Sequence, residues 1–414
     1  MLSALVLVAA LMQSPVSPGA DVRPAVDPEI AFWSARVARD PEDHVSATRL
    51  GYACLKAARR TGDFRLYAQA EAALGEALKR SPGHYTALLG LANARSARHR
   101  FQEAIDLARQ AAAQQPKDAD AYTIFGDAYL GMGKLADAEA AYKEVASRAP
   151  GFVTETRLAN LAQARGHSRE AIALLRKALD DATATDLPIE SQSWCRVMIG
   201  ATLFDLGEWD AAEPEYQAAL QLTPDSYVAI EHVAELRSYQ RRDKEALALY
   251  ERAIAIAPHP DFFEAVARTH EWAGRHGEAR RWHVRARDAY LEAVKAGDPG
   301  YYRNLAMFFT DVERRPEDAI SWARKDLELR QDHAAWSALA WALLAGGDVQ
   351  EAREASAKAT ASGAEDAGMW FRDGMIQKAA RDIPAARASL QRALAINPRF
   401  DRADDAREML LSTK

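Results

Sequence analysis

Histidine and glutamate side chains that could bind a metal ion cluster in one stretch of the sequence. His270 and Glu271 are followed by His276 and His283. Imidazole nitrogens and carboxylate oxygens are donors that Zn²⁺ accepts. The spacing is not that of an HExxH motif, in which two histidines share one face of a helix. We therefore interpret the stretch as structural, and the sequence predicts no metal and no cofactor.

A glycine-rich tetrapeptide, Gly131-Met132-Gly133-Lys134, superficially resembles a phosphate-binding loop. Such a loop needs four residues between its first glycine and the Gly-Lys pair, and it follows a β-strand. Neither condition is met, so we interpret the tetrapeptide as a turn. The two cysteines, Cys54 and Cys195, are too few for a disulfide framework or a cysteine-ligated cluster. No nucleophile–base pair or carboxylate pair stands out, and we predict that the protein is not an enzyme.

Composition narrows the remaining classes of function. Hydrophobic residues make up 49% of the chain and charged residues 27%, as in an ordinary folded protein. The formal net charge of −6 disfavours a general nucleic-acid binder. From the length of 414 residues alone, two or three globular domains would be expected.

The N-terminal segment has the pattern of an export signal. Leu2–Met12 is apolar but shorter than the roughly 20 residues that cross a bilayer as a helix. Small residues and prolines follow it, as in a cleavage region, although no lysine or arginine precedes it. An N-terminal helix or a misassigned start is the alternative. We predict a signal peptide over residues 1–20, a periplasmic or secreted location with a cytoplasmic one as the alternative, and no integral membrane span.

Prolines recur at a regular interval and indicate an internal repeat. The series is Pro41, Pro82, Pro116, Pro150, Pro224, Pro258 and Pro398. Three of the intervals are 34 residues, and the others are multiples of 34 with short insertions. The series therefore contains ten periods, and a fixed period of this length is the signature of stacked helical or mixed units.

Residue types within the periods resemble those of the tetratricopeptide repeat, a helix–turn–helix unit of 34 residues. In the period 117–150, the matching residues are Tyr122, Phe125, Gly126, Tyr129, Ala138, Tyr142 and Pro150. The last full period repeats the pattern with Trp370, Gly374, Ala386 and Pro398. The resemblance covers residues 42–398. It implies an all-α fold, a right-handed α-solenoid of about ten units, and a role in protein–protein interaction.

Short segments remain on either side of the array at 42–398. Residues 21–41 form a linker and an N-terminal cap helix, since Pro28 stands at the favoured first position of a helix. Residues 399–414 form a C-terminal capping helix. No segment of domain length, about 100 residues, is left for a catalytic domain. Units of a solenoid contact only their neighbours, so a disulfide between Cys54 and Cys195, four units apart, is not expected.

The resemblance implies that the first helix of each unit lines a concave groove. Candidate peptide-binding residues at groove-facing places are Asn93, Asp127, Asn160, Trp194, Phe204, Glu235, Arg268, Arg303, Trp341, Phe371 and Met375. The two asparagines could hydrogen-bond a peptide backbone, or they could be merely solvated. The apolar members could be anchor sites for a partner, or packing between units could bury them.

The sequence thus predicts a non-enzymatic scaffold that binds a peptide or helix of a protein partner in the groove. A structural subunit or accessory factor of a bacterial envelope or secretion assembly is the alternative, as is a non-catalytic partner of an enzyme. No nucleic-acid partner is expected. A homo-oligomer is neither implied nor excluded.

Overall fold

The computed structural model describes residues 27–412, and this part of the chain contains helices and no β-strand. The predicted signal peptide lies outside it. The helices are α1 (Pro28–Arg39), α2 (His44–Thr61), α3 (Arg65–Arg80), α4 (Tyr85–Ala97), α5 (Phe101–Gln114), α6 (Asp120–Gly131), α7 (Leu135–Arg148), α8 (Phe152–Ala164), α9 (Ser168–Ala184), α10 (Ile189–Asp205), α11 (Trp209–Leu222), α12 (Tyr227–Tyr239), α13 (Asp243–Ile256), α14 (Pro260–Trp272), α15 (His276–Lys295), α16 (Tyr302–Asp311), α17 (Pro316–Leu329), α18 (His333–Ala345), α19 (Val349–Thr360), α20 (Ala367–Ala379), α21 (Ile383–Ile396) and α22 (Ala403–Ser412).

Ten helix pairs, from α2–α3 to α20–α21, follow one another between α1 and α22. The two helices of each pair contact each other along their length and are joined by a short turn. We number these pairs units 1 to 10. The arrangement confirms the all-α solenoid of ten units. The cap helix expected from Pro28 lies at α1, where the Asp27 carboxylate accepts a hydrogen bond from the Glu29 N–H at 2.9 Å.

Glycine on the first helix lets a tyrosine of the second helix fill the centre of a unit. A Cβ atom added to Gly126 would overlap the ring of Tyr142, and one added to Gly200 would lie 2.5 Å from the ring of Tyr216. Both tyrosines are fully buried. The close approach explains why a small residue recurs at this place of the repeat.

The stack is curved, and its first helices lie on the inner side. Consecutive first helices contact one another in most units, for example α4 with α6 and α16 with α18. Among the described residues, no comparable contact joins consecutive second helices. Elements on the inside of a bend are closer together, so the first helices line the concave face.

The expectation that units contact only their neighbours is wrong. In unit 3, the carbonyl oxygen of Met132 accepts a hydrogen bond from the Gln331 N–H at 3.1 Å, across about 200 residues. In unit 4, the Ser168 N–H donates to Glu365 Oε2 at 3.2 Å. The array therefore winds back on itself, and its successive superhelical turns are in contact.

The contacts between superhelical turns follow a rule. The turn inside unit n meets the segment that follows unit n+5, and this holds for units 2 to 5. Glycines with positive φ make the approach in three of them. Gly133 lies against Asp332, Gly166 against Gly363, and Gly207 against Asn397. A side chain at any of these glycines would collide with the next superhelical turn.

Both cysteines are free and buried, Cys54 in α2 and Cys195 in α10. Burial raises the pKa of Cys54 to about 11 and that of Cys195 to about 12. Both thiols are therefore protonated at neutral pH and weak as nucleophiles.

Candidate functional site

Polar side chains on the concave face pair from one first helix to the next. Arg157 Nη2 of α8 lies 3.4 Å from Asp127 Oδ2 of α6, and Asp127 Oδ1 also accepts a hydrogen bond from Tyr142 Oη at 2.9 Å. Arg303 Nη1 lies 3.5 Å from Asp332 Oδ1, the N-cap residue of α18. These predicted groove residues are thus partly engaged within the array. Ion pairs within the array thus hold these charged side chains in place without a binding partner.

The two predicted asparagines lie half-buried on first helices. The Asn93 side-chain amide donates to the Leu89 carbonyl oxygen of its own helix at 3.0 Å. This bond uses one of the two amide hydrogens, so the side-chain oxygen of Asn93 still has acceptor capacity. Asn160 lies on α8, three positions after Arg157, which pairs with Asp127.

Four of the five apolar candidates pack within the array. Phe204 and Phe371 are 6% and 2% exposed and belong to hydrophobic clusters. Trp194 and Met375 are partly buried against the same two clusters. Packing between units, the alternative interpretation, therefore accounts for most of the surface of these four side chains.

Trp341 differs from the other apolar candidates. It is half-buried on α18 and belongs to none of the hydrophobic clusters found within residues 27–412. Its indole Nε1 donates to Asp311 Oδ1 of the preceding first helix at 2.7 Å, which fixes the ring. The structure thus presents one oriented, partly exposed indole on the concave face.

The middle of the concave face is acidic. Glu231 and Glu235 lie one helical turn apart on α12, and both are more than nine-tenths buried. Arg268 of α14 lies 3.6 Å from Glu235 Oε1. Burial, followed by the charges of Glu235 and Asp261, raises the pKa of Glu231 well above its ordinary value.

His232 adjoins this acidic centre, and sequence reasoning missed it. Its Nδ1 lies 3.6 Å from Glu231 Oε2, and its ring stacks on Tyr216 with centroids 5.4 Å apart. Burial lowers the pKa of His232, so the ring is neutral at neutral pH. His232 is not at a groove-facing place of the repeat. Its position next to one glutamate and three residues before another was the only available signal.

The histidines singled out in the sequence do not gather. Arg275 Nε donates to His270 Nδ1 at 3.0 Å, while His283 Nε2 lies 3.5 Å from Glu271 Oε2. His276 begins α15. Within residues 27–412, the one group of three ligating side chains whose donor atoms lie within 4.8 Å of one another is Glu231, His232 and Glu235.

The tetrapeptide that superficially resembles a phosphate loop is the turn inside unit 3, between α6 and α7. It takes part in a contact between superhelical turns, because the carbonyl oxygen of Met132 accepts the hydrogen bond from the Gln331 N–H described above.

Comparisons with known proteins agree with this architecture. A family model described as tetratricopeptide repeat matches residues 65–124 and 96–164, and a second model of the same description matches residues 156–227 and 197–259. The class defined by fold and groove is thus a helical-repeat solenoid. The chain contains tetratricopeptide repeats over the matched residues 65–259. Proteins of this family generally mediate protein–protein interaction.

Solved structures similar to this chain include yeast Tom70, with 12% identity, a TM-score of 0.42, and coverage of 93% of this chain and 91% of that chain. The APC/C heterotetramer Cut9–Hcn1 has 13% identity, a TM-score of 0.37, and coverage of 93% and 92%. A thermophilic TPR protein of Thermus thermophilus has 22% identity, a TM-score of 0.36, and coverage of 42% and 89%. No curated protein sequence matches this chain.

None of the helices between residues 27 and 412 has the length and apolar character needed to cross a membrane.

Proposed function

We propose that this protein is a non-enzymatic scaffold that binds a peptide or helix of a protein partner on its concave face, with Trp341 as the principal apolar contact. The observation that carries the proposal is the indole of Trp341, which is oriented by Asp311 and left outside the hydrophobic clusters. Tryptophan residues are enriched among the side chains that dominate binding energy at interfaces.

Pre-organisation supports the same function. The ion pairs between consecutive first helices hold charged groups at fixed positions along the groove. A surface that is ordered before binding loses less conformational entropy when the partner arrives. Asn93, with its free acceptor oxygen, adds a group that can hydrogen-bond a peptide backbone without reading its sequence.

Site-specific photo-cross-linking in the native cells tests this proposal. A photoreactive amino acid replaces Trp341 in one strain and Val284 in another, since Val284 lies on a second helix and is 48% exposed. We expect a discrete cross-linked partner from position 341 and none from position 284. The same adducts from both positions, or none from position 341, would contradict groove binding.

A role in an envelope or secretion assembly is the second candidate, and the apolar run Leu2–Met12 favours it. In this proposal the protein is periplasmic or secreted. Fractionation of cells followed by N-terminal sequencing tests it. A mature N-terminus after the apolar run in the exported fraction is expected. An intact N-terminus in the cytosolic fraction would remove this candidate and leave the scaffold proposal standing.

A further inference from the structure

Three neighbouring side chains on α12 bring metal-ligand chemistry together. Glu231 and Glu235 are four positions apart and therefore project from the same side of the helix. His232 is next to Glu231, with its Nδ1 3.6 Å from Glu231 Oε2. One donor atom from each of the three lies within 4.8 Å of the other two. Movements of about an ångström would bring all three to the 2.0–2.2 Å that Zn²⁺ needs from nitrogen and oxygen ligands.

One of these donor atoms is buried without a hydrogen-bond partner. The Nδ1 atom of His232 is buried and has no hydrogen-bond partner among the described residues. The neighbouring Glu231 is 8% exposed. A buried polar atom without a partner costs about 1–3 kcal/mol, so such atoms need a reason. His232 Nδ1 lies 3.6 Å from Glu231 Oε2, a separation at which both atoms could bind one metal ion at 2.0–2.2 Å.

The neighbourhood of these three side chains is acidic. In addition to burial, the charge of Asp261 raises the pKa of Glu231, and the charge of Glu235 raises the pKa of Asp205. Asp261 accepts hydrogen bonds from Tyr290 Oη and Asn304 Nδ2, and Arg268 Nη2 lies 3.6 Å from Glu235 Oε1. Buried carboxylates are ordinarily paired or bound to a metal. A metal ion bound by Glu231 and Glu235 would offset the burial of these two carboxylates.

We propose that Glu231, His232 and Glu235 bind one divalent transition-metal ion, with Zn²⁺ as the first choice. The mixture of imidazole and carboxylate favours such an ion over Mg²⁺ or Ca²⁺, which prefer oxygen ligands alone. Three protein ligands would leave the fourth position of a tetrahedral site open. The site is independent of the partner proposed above, and it can be tested without one.

The experiment measures Zn²⁺ binding to the full chain after removal of any affinity tag and of bound metal. Equilibrium dialysis with elemental analysis gives the stoichiometry, and titration calorimetry in a non-chelating buffer gives the dissociation constant. We expect one Zn²⁺ per chain. Loss of outer-shell partners alone weakens metal sites by about 10- to 100-fold, so E231Q and H232Q should each raise the dissociation constant by more than 10-fold.

The pair formed by His283 and Glu271 provides a matched control. Their atoms lie 3.5 Å apart, much as those of His232 and Glu231 do, but no third ligand joins them. H283Q should leave binding unchanged. Equal loss in H283Q, wild-type affinity in both E231Q and H232Q, or no Zn²⁺ on the wild-type chain would each overturn the proposal.

Folding is checked by circular dichroism, because His232 packs on Tyr216. If H232Q fails to fold, E231Q decides the question, because glutamine has nearly the same side-chain shape as glutamate. Co²⁺ provides a second readout on the wild-type chain. Visible absorption bands of low-coordinate Co²⁺ that Zn²⁺ displaces are expected, and a spectrum of hexahydrated Co²⁺ would contradict the site.

Discussion

A single methyl group at Gly166 should force two superhelical turns apart. Gly166 has φ of +76°, and a Cβ atom there would overlap the carbonyl oxygen of Gly363 and lie 3.0 Å from its carbonyl carbon. The obstacle is backbone, which cannot rotate away as a side chain would. Gly274 is the matched control, since its φ of +72° is nearly the same and nothing lies within 4 Å of an added Cβ.

The two substitutions separate backbone strain from the clash. G166A and G274A both force alanine into the left-handed region, which costs about 1–2 kcal/mol. Only G166A adds the cost of overpacking, about 1–3 kcal/mol. We therefore expect G166A to lower the free energy of unfolding by about 1–3 kcal/mol more than G274A.

Urea unfolding followed by circular dichroism measures that difference, and small-angle X-ray scattering measures the shape. If the contact between turns breaks, the radius of gyration of G166A should exceed that of G274A. Equal unfolding midpoints and equal radii for the two variants would refute the contact between units 4 and 9.

Three further outcomes follow from buried groups. G126A should lower the free energy of unfolding by about 1–3 kcal/mol in a urea titration, because the added methyl group overlaps the ring of Tyr142. An unfolding free energy equal to that of the wild-type chain would contradict this packing. R330M removes the partner of the fully buried Asp326, whose Oδ1 accepts a hydrogen bond from Arg330 Nε at 3.0 Å. The variant should cost about 3–5 kcal/mol, and the double variant with D326N should recover much of that loss. Burial raises the pKa of Asp298 from 3.8 to about 7. Between these two pH values the folded chain keeps a proton that the unfolded chain releases. The free energy of unfolding therefore falls as the pH rises from about 4 to about 7. D298N should remove a fall on the order of 3–4 kcal/mol from the pH profile of unfolding, and a profile parallel to that of the wild type would count against the raised pKa.

The repeat could be predicted from sequence because its determinants are local. Pro116 and Pro150 end units at fixed intervals, and Gly126 stands where Tyr142 needs room. The contacts between superhelical turns have no such local signal. Gly133 and Gly166 are explained as turn residues by their own units, and nothing near them in sequence indicates the segments about 200 residues away that rest on them.

The groove was only partly predictable for a related reason. Trp341 and Phe371 both lie on first helices at groove-facing places, yet their exposure differs because their neighbours differ. Phe371 packs against Phe400, with ring centroids 5.8 Å apart, whereas Trp341 contacts the carboxylate of Asp311. Such packing depends on the angle between successive units, which residue type alone does not specify. His232 was missed because its role depends on two glutamates rather than on its place in the repeat.

The affinity of a cross-linked partner for W341A tests the central claim most directly. Calorimetry compares the wild-type chain with W341A and with V284A, a truncation on an exposed second helix. If Trp341 is the principal apolar contact, W341A should raise the dissociation constant at least about 10-fold, equal to about 1.4 kcal/mol, while V284A leaves it unchanged. Equal affinity of W341A and the wild-type chain, with both folded, would contradict binding on the concave face through Trp341.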